Sequence, residues 1–130
     1  MGKIISRFLK PKGKFIFVEF HPVVWMFDDN FDKIGYNYFN VAPIVETEQG
    51  TYADKDAAIS QSYVTWNHSM SEVVGALLHH GLNIQDLNEF DYSPYPIFKN
   101  MTELDPKKFR IAHLGNKIPM VYAIVARKSE

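Results

Sequence analysis

Leu9-Lys10-Pro11-Lys12-Gly13-Lys14-Phe15-Ile16-Phe17-Val18-Glu19-Phe20-His21-Pro22 is the stretch on which the fold turns. A short apolar helix end runs into a Pro/Gly turn, then an apolar strand, then a polar tip. Pro11 and Gly13 punctuate the chain, one with a fixed φ and no amide hydrogen, the other free of a side chain. Phe15, Ile16, Phe17 and Val18 are consecutive, and an unbroken apolar run predicts an interior strand covered on both faces. Pro22 ends the ladder because it has no N–H to give. Such a unit normally sits deep inside an α/β domain, yet here it begins within the first dozen residues. The expectation is a domain whose first half is missing.

Upstream, Ile4, Ile5, Phe8 and Leu9 fall at helical spacing over Met1 to Leu9, about two turns and too short to stand alone in water. Downstream, the clearest helix is Ser69 to His80. Ser69-Met70-Ser71-Glu72 is a capping box, in which the serine oxygen bonds the N3 amide and the glutamate reaches back. Met70, Val73, Val74, Leu77 and Leu78 share one face, and Gly81 is a natural stop. Leu82 to Tyr92 reads as a strand with imperfect alternation and room for a bulge. Tyr92-Ser93-Pro94-Tyr95-Pro96 is a rigid break, and residues 97 to 117 form a long polar excursion. Met120 to Val125 opens a second buried strand that returns to solvent at Arg127-Lys128. The strand–helix–strand crossover predicts a parallel pair, with the last two strands antiparallel.

The chain has 130 residues, enough for one modest domain, with 46% hydrophobic and 15% aromatic residues to fill a core. Fourteen basic and 15 acidic residues leave a formal net charge of -1, so bulk charge marks neither a nucleic-acid nor an anionic-membrane binder. There are no cysteines. That excludes disulfides and zinc-thiolate sites and points to a reducing compartment, with the cytoplasm as the expected location. The apolar runs are far shorter than a bilayer crossing, and no secretory leader is visible. Met1-Gly2 with Ser6 matches a loose acylation pattern that chance at a helix start explains.

Residues 23–66 form an aromatic, turn-rich insertion. Segments around Tyr36 to Val41 and Ile44 to Thr47 suggest a hairpin, and Gln61 to Trp66 another short strand. Trp25, Phe27, Tyr36, Tyr38, Phe39, Tyr52, Tyr63 and Trp66 either line an apolar substrate pocket or pack as a small satellite core. His79-His80 is no metal pair, because adjacent helical residues diverge by about 100°. Asp28-Asp29 and Asp54 with Asp56 lack a cation-loop ladder and read as solvated turns. No metal site is expected.

In order, the Leu9-to-Lys14 turn before a buried strand, the capped helix ending His80-Gly81-Leu82 before another strand, and a terminal apolar strand ending Ala126-Arg127-Lys128 resemble the C-terminal half of a class I S-adenosylmethionine-dependent methyltransferase. Lys12 stands where that family usually has glycine in its L-K-P-G-G turn. The resemblance implies an α/β fold: a partial Rossmann-like methyltransferase sheet, made of C-terminal strands and a crossover helix, with an aromatic-rich β insertion. Residues 1–130 are then a single partial domain, with the insertion at 23–66. The family holds its cofactor through a glycine-rich loop and an acidic strand end in its first half. No G-x-G occurs here. S-adenosylmethionine is thus the cofactor of the resembling family, with none expected to bind this chain alone.

The same resemblance places the loop after the first strand against the substrate. It assigns His21 as the catalytic residue, an imidazole that orients or deprotonates a methyl acceptor. The competing role for His21 is a loop cap. Glu19, Pro22, Trp25, Tyr63, Trp66 and His68 are the expected substrate-binding residues, with the cofactor-binding residues unknown. The implied function is the substrate-side half of a small-molecule methyltransferase, inactive alone. The alternative is a non-catalytic α+β module with an aromatic ligand cavity. Because the family's sheet sets missing strands beside Phe15 to Phe20, the chain is expected to form a homo-oligomer through that edge. The other expected partner is a small-molecule substrate, with no nucleic acid and no membrane.

Overall fold

The computed structural model describes residues 1–39, 42–51, 54 and 56–130. In chain order the elements are α1 (Gly2–Phe8), β1 (Lys14–Phe20), a 3-10 helix (Pro22–Met26), β2 (Ile44–Gln49), β3 (Ser60–Thr65), α2 (Met70–His79), β4 (Leu82–Phe90), β5 (Met101–Asp105), β6 (Lys108–Ile111) and β7 (Val121–Lys128). The main sheet has the order β1-β7-β4, and β7 runs antiparallel to both neighbours. Two antiparallel hairpins, β2-β3 and β5-β6, accompany it. The architecture is mixed α/β with antiparallel sheets.

The expected parallel pair is corrected here. β1 and β4 point the same way, but the last strand inserts between them and takes the hydrogen bonds of both. β7 can fill the middle because it is apolar on both sides: Tyr122, Ile124 and Ala126 alternate into one core, while Val121 enters another. The first core lies under the helices and includes Leu77, Leu82, Phe15 and Phe17. The second gathers Val24, Phe31, Ile111, Met120 and Val121 near the end of β1. The strand β4 carries a register shift between Ile84 and Asp86.

β1 is not covered on both faces, contrary to its unbroken apolar run. Phe15 and Phe17 pack under the helices, but Ile16 and Val18 on the opposite face are 63% and 59% exposed. The strand also lies at an edge of the sheet. The hairpin in the insertion is likewise corrected. Ile44–Gln49 pairs with Ser60–Thr65, not with the segment around Tyr36, and Asn40 and Val41 lie outside the described residues. The polar excursion contains a hairpin that its composition hides. Its β5 and β6 meet across Pro106 and Lys107, with Lys107 in the left-handed region at φ 63°.

Local chemistry explains the helices. Ser69 caps α2 by accepting from the Glu72 amide (3.3 Å), and Glu72 accepts from the Ser69 amide (2.9 Å). Gly81 closes it at φ 77°. α1 is held by its neighbours: Ile5 and Leu9 join the helix-side core, and the Lys128 ammonium donates to the Ser6 and Leu9 carbonyls at 2.6 and 2.9 Å. A cation at a helix C-terminus meets the negative end of the dipole. Lys12 adopts φ 59° in the turn, the conformation that glycine tolerates most easily.

Leu77 is fully buried between α2 and the sheet, whereas Leu78 one residue on is 51% exposed. Leu77→Ala should therefore lower unfolding stability by about 2–5 kcal/mol in urea titrations, through lost burial and a cavity. Leu78→Ala should change it far less; equal losses would mean that α2 does not present this face to the sheet.

Candidate functional site

The C-terminal end of β1 and the neighbouring end of β4 bring together Glu19, His21, Glu89 and Tyr122. Their placement follows from register. Glu19 opposes Tyr122 on β7, and Glu89 opposes Tyr122 from the other side. His21 follows β1, anchored by its amide donating to the Met120 carbonyl at 2.9 Å. Pro22 then turns the chain into the 3-10 helix, where a missing N–H costs nothing.

His21 is 4% exposed, and both ring nitrogens are engaged. Nδ1 accepts from the Val23 amide at 3.2 Å. The proton therefore resides on Nε2, which donates to Glu89 Oε1 at 2.8 Å. The ring also stands edge-on to Tyr122, with centroids 5.9 Å apart. His21 thus does cap its loop, and it also reaches 68 residues along the chain to fix a carboxylate. The Glu89 side chain is 56% exposed, so it is the solvent-facing member of the pair. It borders an open depression of about 220 Å³ with Asp91, Lys117 and Pro119.

Tyr122 is buried, and burial with the nearby Glu19 carboxylate and Tyr38 phenol pushes its hydroxyl up to about 12. Tyr38 also links the site to α2, because its hydroxyl accepts from the Met70 amide at 3.0 Å. Two members of this cluster, Glu89 and Tyr122, were not apparent as site residues in the sequence, whereas Tyr38 belongs to the aromatic set that the sequence places at a pocket or a satellite core. Glu89 carries a faint signal as an acidic residue two positions after Leu87 on a half-buried strand. Tyr122 is hidden in an apolar run.

The other expected substrate residues disperse. Trp25 packs edge-on to Phe20 and Phe98, and Phe98 in turn meets Phe31, a ring-on-ring cluster beside the second core. The Trp25 carbonyl accepts from the Asn67 amide group at 3.4 Å, which ties the α2 approach to this cluster. His68 lies 3.5 Å from Glu72 at the surface. Tyr63 is on the β2-β3 hairpin, where burial and the Glu48 and Glu46 carboxylates raise its phenol well above the usual range. Trp66 is 56% exposed. Tyr36 donates to Glu46 at 2.8 Å and borders a separate open cavity of about 330 Å³ with Pro43 and Ile44. Tyr52 lies outside the described residues.

Among the described residues, no three acidic, histidine or cysteine side chains gather to hold a metal ion. Gly2 and Gly13 are packed against their own chain, while Gly35, Gly75, Gly81 and Gly115 border open space. No described helix is long and apolar enough to cross a membrane.

No protein-family model matches the sequence, and no curated protein does. Among solved structures, the chain is similar to a Listeria monocytogenes protein described as an S-adenosylmethionine-dependent methyltransferase, at 18% identity and a TM-score of 0.53. The match covers 98% of this chain and 53% of that one, so the chain spans about half the length of its neighbour. The likeness extends over both cores and supports a methyltransferase-like fold.

Folded Tyr122 keeps its proton to about pH 12, whereas an unfolded tyrosine loses it near pH 10. Between these values the native state binds more protons, so its stability falls as pH rises. Tyr122→Phe should flatten this alkaline limb by on the order of 2 kcal/mol in urea midpoints. An unchanged slope would place Tyr122 in contact with water.

Proposed function

We propose that this chain is the substrate-side portion of an S-adenosylmethionine-dependent methyltransferase acting on a small molecule. The observation that carries this reading is the buried His21 holding the exposed Glu89 at the C-terminal ends of β1 and β4, within a methyltransferase-like fold. Strand ends of open α/β sheets are where ligands bind. The cofactor supplies an electrophilic methyl group when bound by such enzymes, and this reading assigns no part in holding it to the residues of this chain. Their own contribution concerns the acceptor.

In this reading His21 is a positioning residue. Its Nε2 proton fixes one Glu89 oxygen and leaves the other free for an acceptor O–H or N–H. A carboxylate held in this way orients the acceptor and can take up its proton. Asp91, Lys117 and Pro119 border the depression into which that carboxylate opens. The distribution of roles differs from one in which His21 itself removes the proton, since Nδ1 and Nε2 are both occupied.

NMR of the labelled chain tests this. Small-molecule alcohols, phenols or amines of the acceptor class should shift the His21 imidazole and Lys117 amide signals saturably, and Glu89→Gln should weaken the effect several-fold. S-adenosylmethionine alone should shift neither signal and give no saturable heat by calorimetry. Micromolar binding of S-adenosylmethionine by this chain would overturn the reading, as would acceptor shifts confined to the β2-β3 hairpin.

A further inference from the structure

The outer edge of β1 has a defined hydrogen-bonding pattern. The Lys128 amide donates to the Gly13 carbonyl and the His21 amide to the Met120 carbonyl, so Phe15, Phe17 and Glu19 turn their backbone groups toward β7. Lys14, Ile16, Val18 and Phe20 turn theirs outward. The Phe20 amide is already occupied, because it donates to Glu19 Oε1 at 2.8 Å. Among the described residues, none engages the outward amides of Lys14, Ile16 and Val18. Apolar side chains flank this edge. Ile16 and Val18 are exposed on the face away from the helices, and Ile4 and Phe8 of α1 are 63% and 80% exposed. Gly2 packs on Ala76 of α2 and Ile5 joins the core. At 100° per residue, Ile4 and Phe8 therefore face away from α2.

Charge is polarised along the chain around this strand. Residues 1–14 carry five basic side chains (Lys3, Arg7, Lys10, Lys12 and Lys14) and no acidic one. Residues 15–32 carry four acidic side chains (Glu19, Asp28, Asp29 and Asp32) and no Lys or Arg. A second copy running antiparallel would set the basic end of each strand, at Lys12 and Lys14, toward the end that carries Glu19 in the other.

We propose that β1 pairs with β1 of a second copy, antiparallel and with Ile16 opposite Ile16, to give one continuous six-stranded sheet. The register follows from the three free amides. Ile16 bonds Ile16, and Lys14 and Val18 bond each other reciprocally. Sliding by two residues toward Phe20 would require the amide that Glu19 occupies. Sliding the other way would require the Pro11-Lys12 turn, where Lys12 has φ 59°. The chosen register also sets Phe15 opposite Phe17 of the other copy at the close, non-hydrogen-bonded positions, where aromatic cross-strand pairs are favourable. The inference does not depend on the methyltransferase reading.

The absence of native cysteine makes the test direct. In sedimentation equilibrium across the micromolar range, the full chain should show twice its 15.0 kDa mass and dissociate as salt is raised. Ile16→Cys should oxidise to a covalent dimer, because opposed Cα atoms lie about 5.5 Å apart, within disulfide reach. Val18→Cys should not, because its two copies are displaced by four residues, roughly 13 Å along the strand. Both positions are exposed, so folding should survive, with circular dichroism as the check. A persistent monomer, cross-linking at Val18 but not at Ile16, or association only with a different polypeptide would each overturn the proposal.

Discussion

β7 is hydrogen-bonded on both sides, and the placement of almost every other element depends on that. By pairing antiparallel with β1 and with β4, it brings the ends of two strands that are distant in sequence to the same level. Tyr122 is the pivot of this arrangement, with Glu19 opposite it on one strand and Glu89 on the other. The same strand fastens α1 through Lys128, so a helix of seven residues persists where an isolated one would melt. A register slip of one residue in β7 would turn Ile124 and Ala126 away from the helix-side core and separate Glu89 from His21.

The His21–Glu89 pair shows how burial and exposure divide labour at a site. The imidazole is buried and fully hydrogen-bonded, which fixes its tautomer. The carboxylate at its far end faces solvent and has a free oxygen. Beside it stands the buried phenol of Tyr122, which faces both Glu19 and Glu89 across the sheet. Rigid support below and an accessible polar group above is the general pattern of ligand sites on α/β sheets.

Much of this framework was legible in the sequence, for identifiable reasons. The capping box at Ser69 and the stop at Gly81 are local signals, and α2 runs as they indicate. The bulge in β4 showed as broken alternation. Strand partners were not legible, because an apolar run such as Met120 to Val125 does not say which neighbours it takes. The crossover between β1 and β4 suggested a direct pair, yet the last strand intervened. Ile16 and Val18 looked like core because composition cannot distinguish a covered face from a bare one. At the site, His21 stood out through its position after a strand. Glu89 did not, and Tyr38 was legible only as one of a set of aromatics, because their meeting with His21 and α2 is a long-range contact.

The arrangement rests on His21 and Glu89 acting as one coupled pair across the sheet, and a double-mutant cycle measures that coupling directly. Urea unfolding of His21→Ala, Glu89→Ala and the double variant should give an interaction energy of roughly 1 kcal/mol, reduced from that of a buried pair by the exposure of Glu89. Additive effects, with no coupling between the two substitutions, would contradict the placement of these residues and the site built on it.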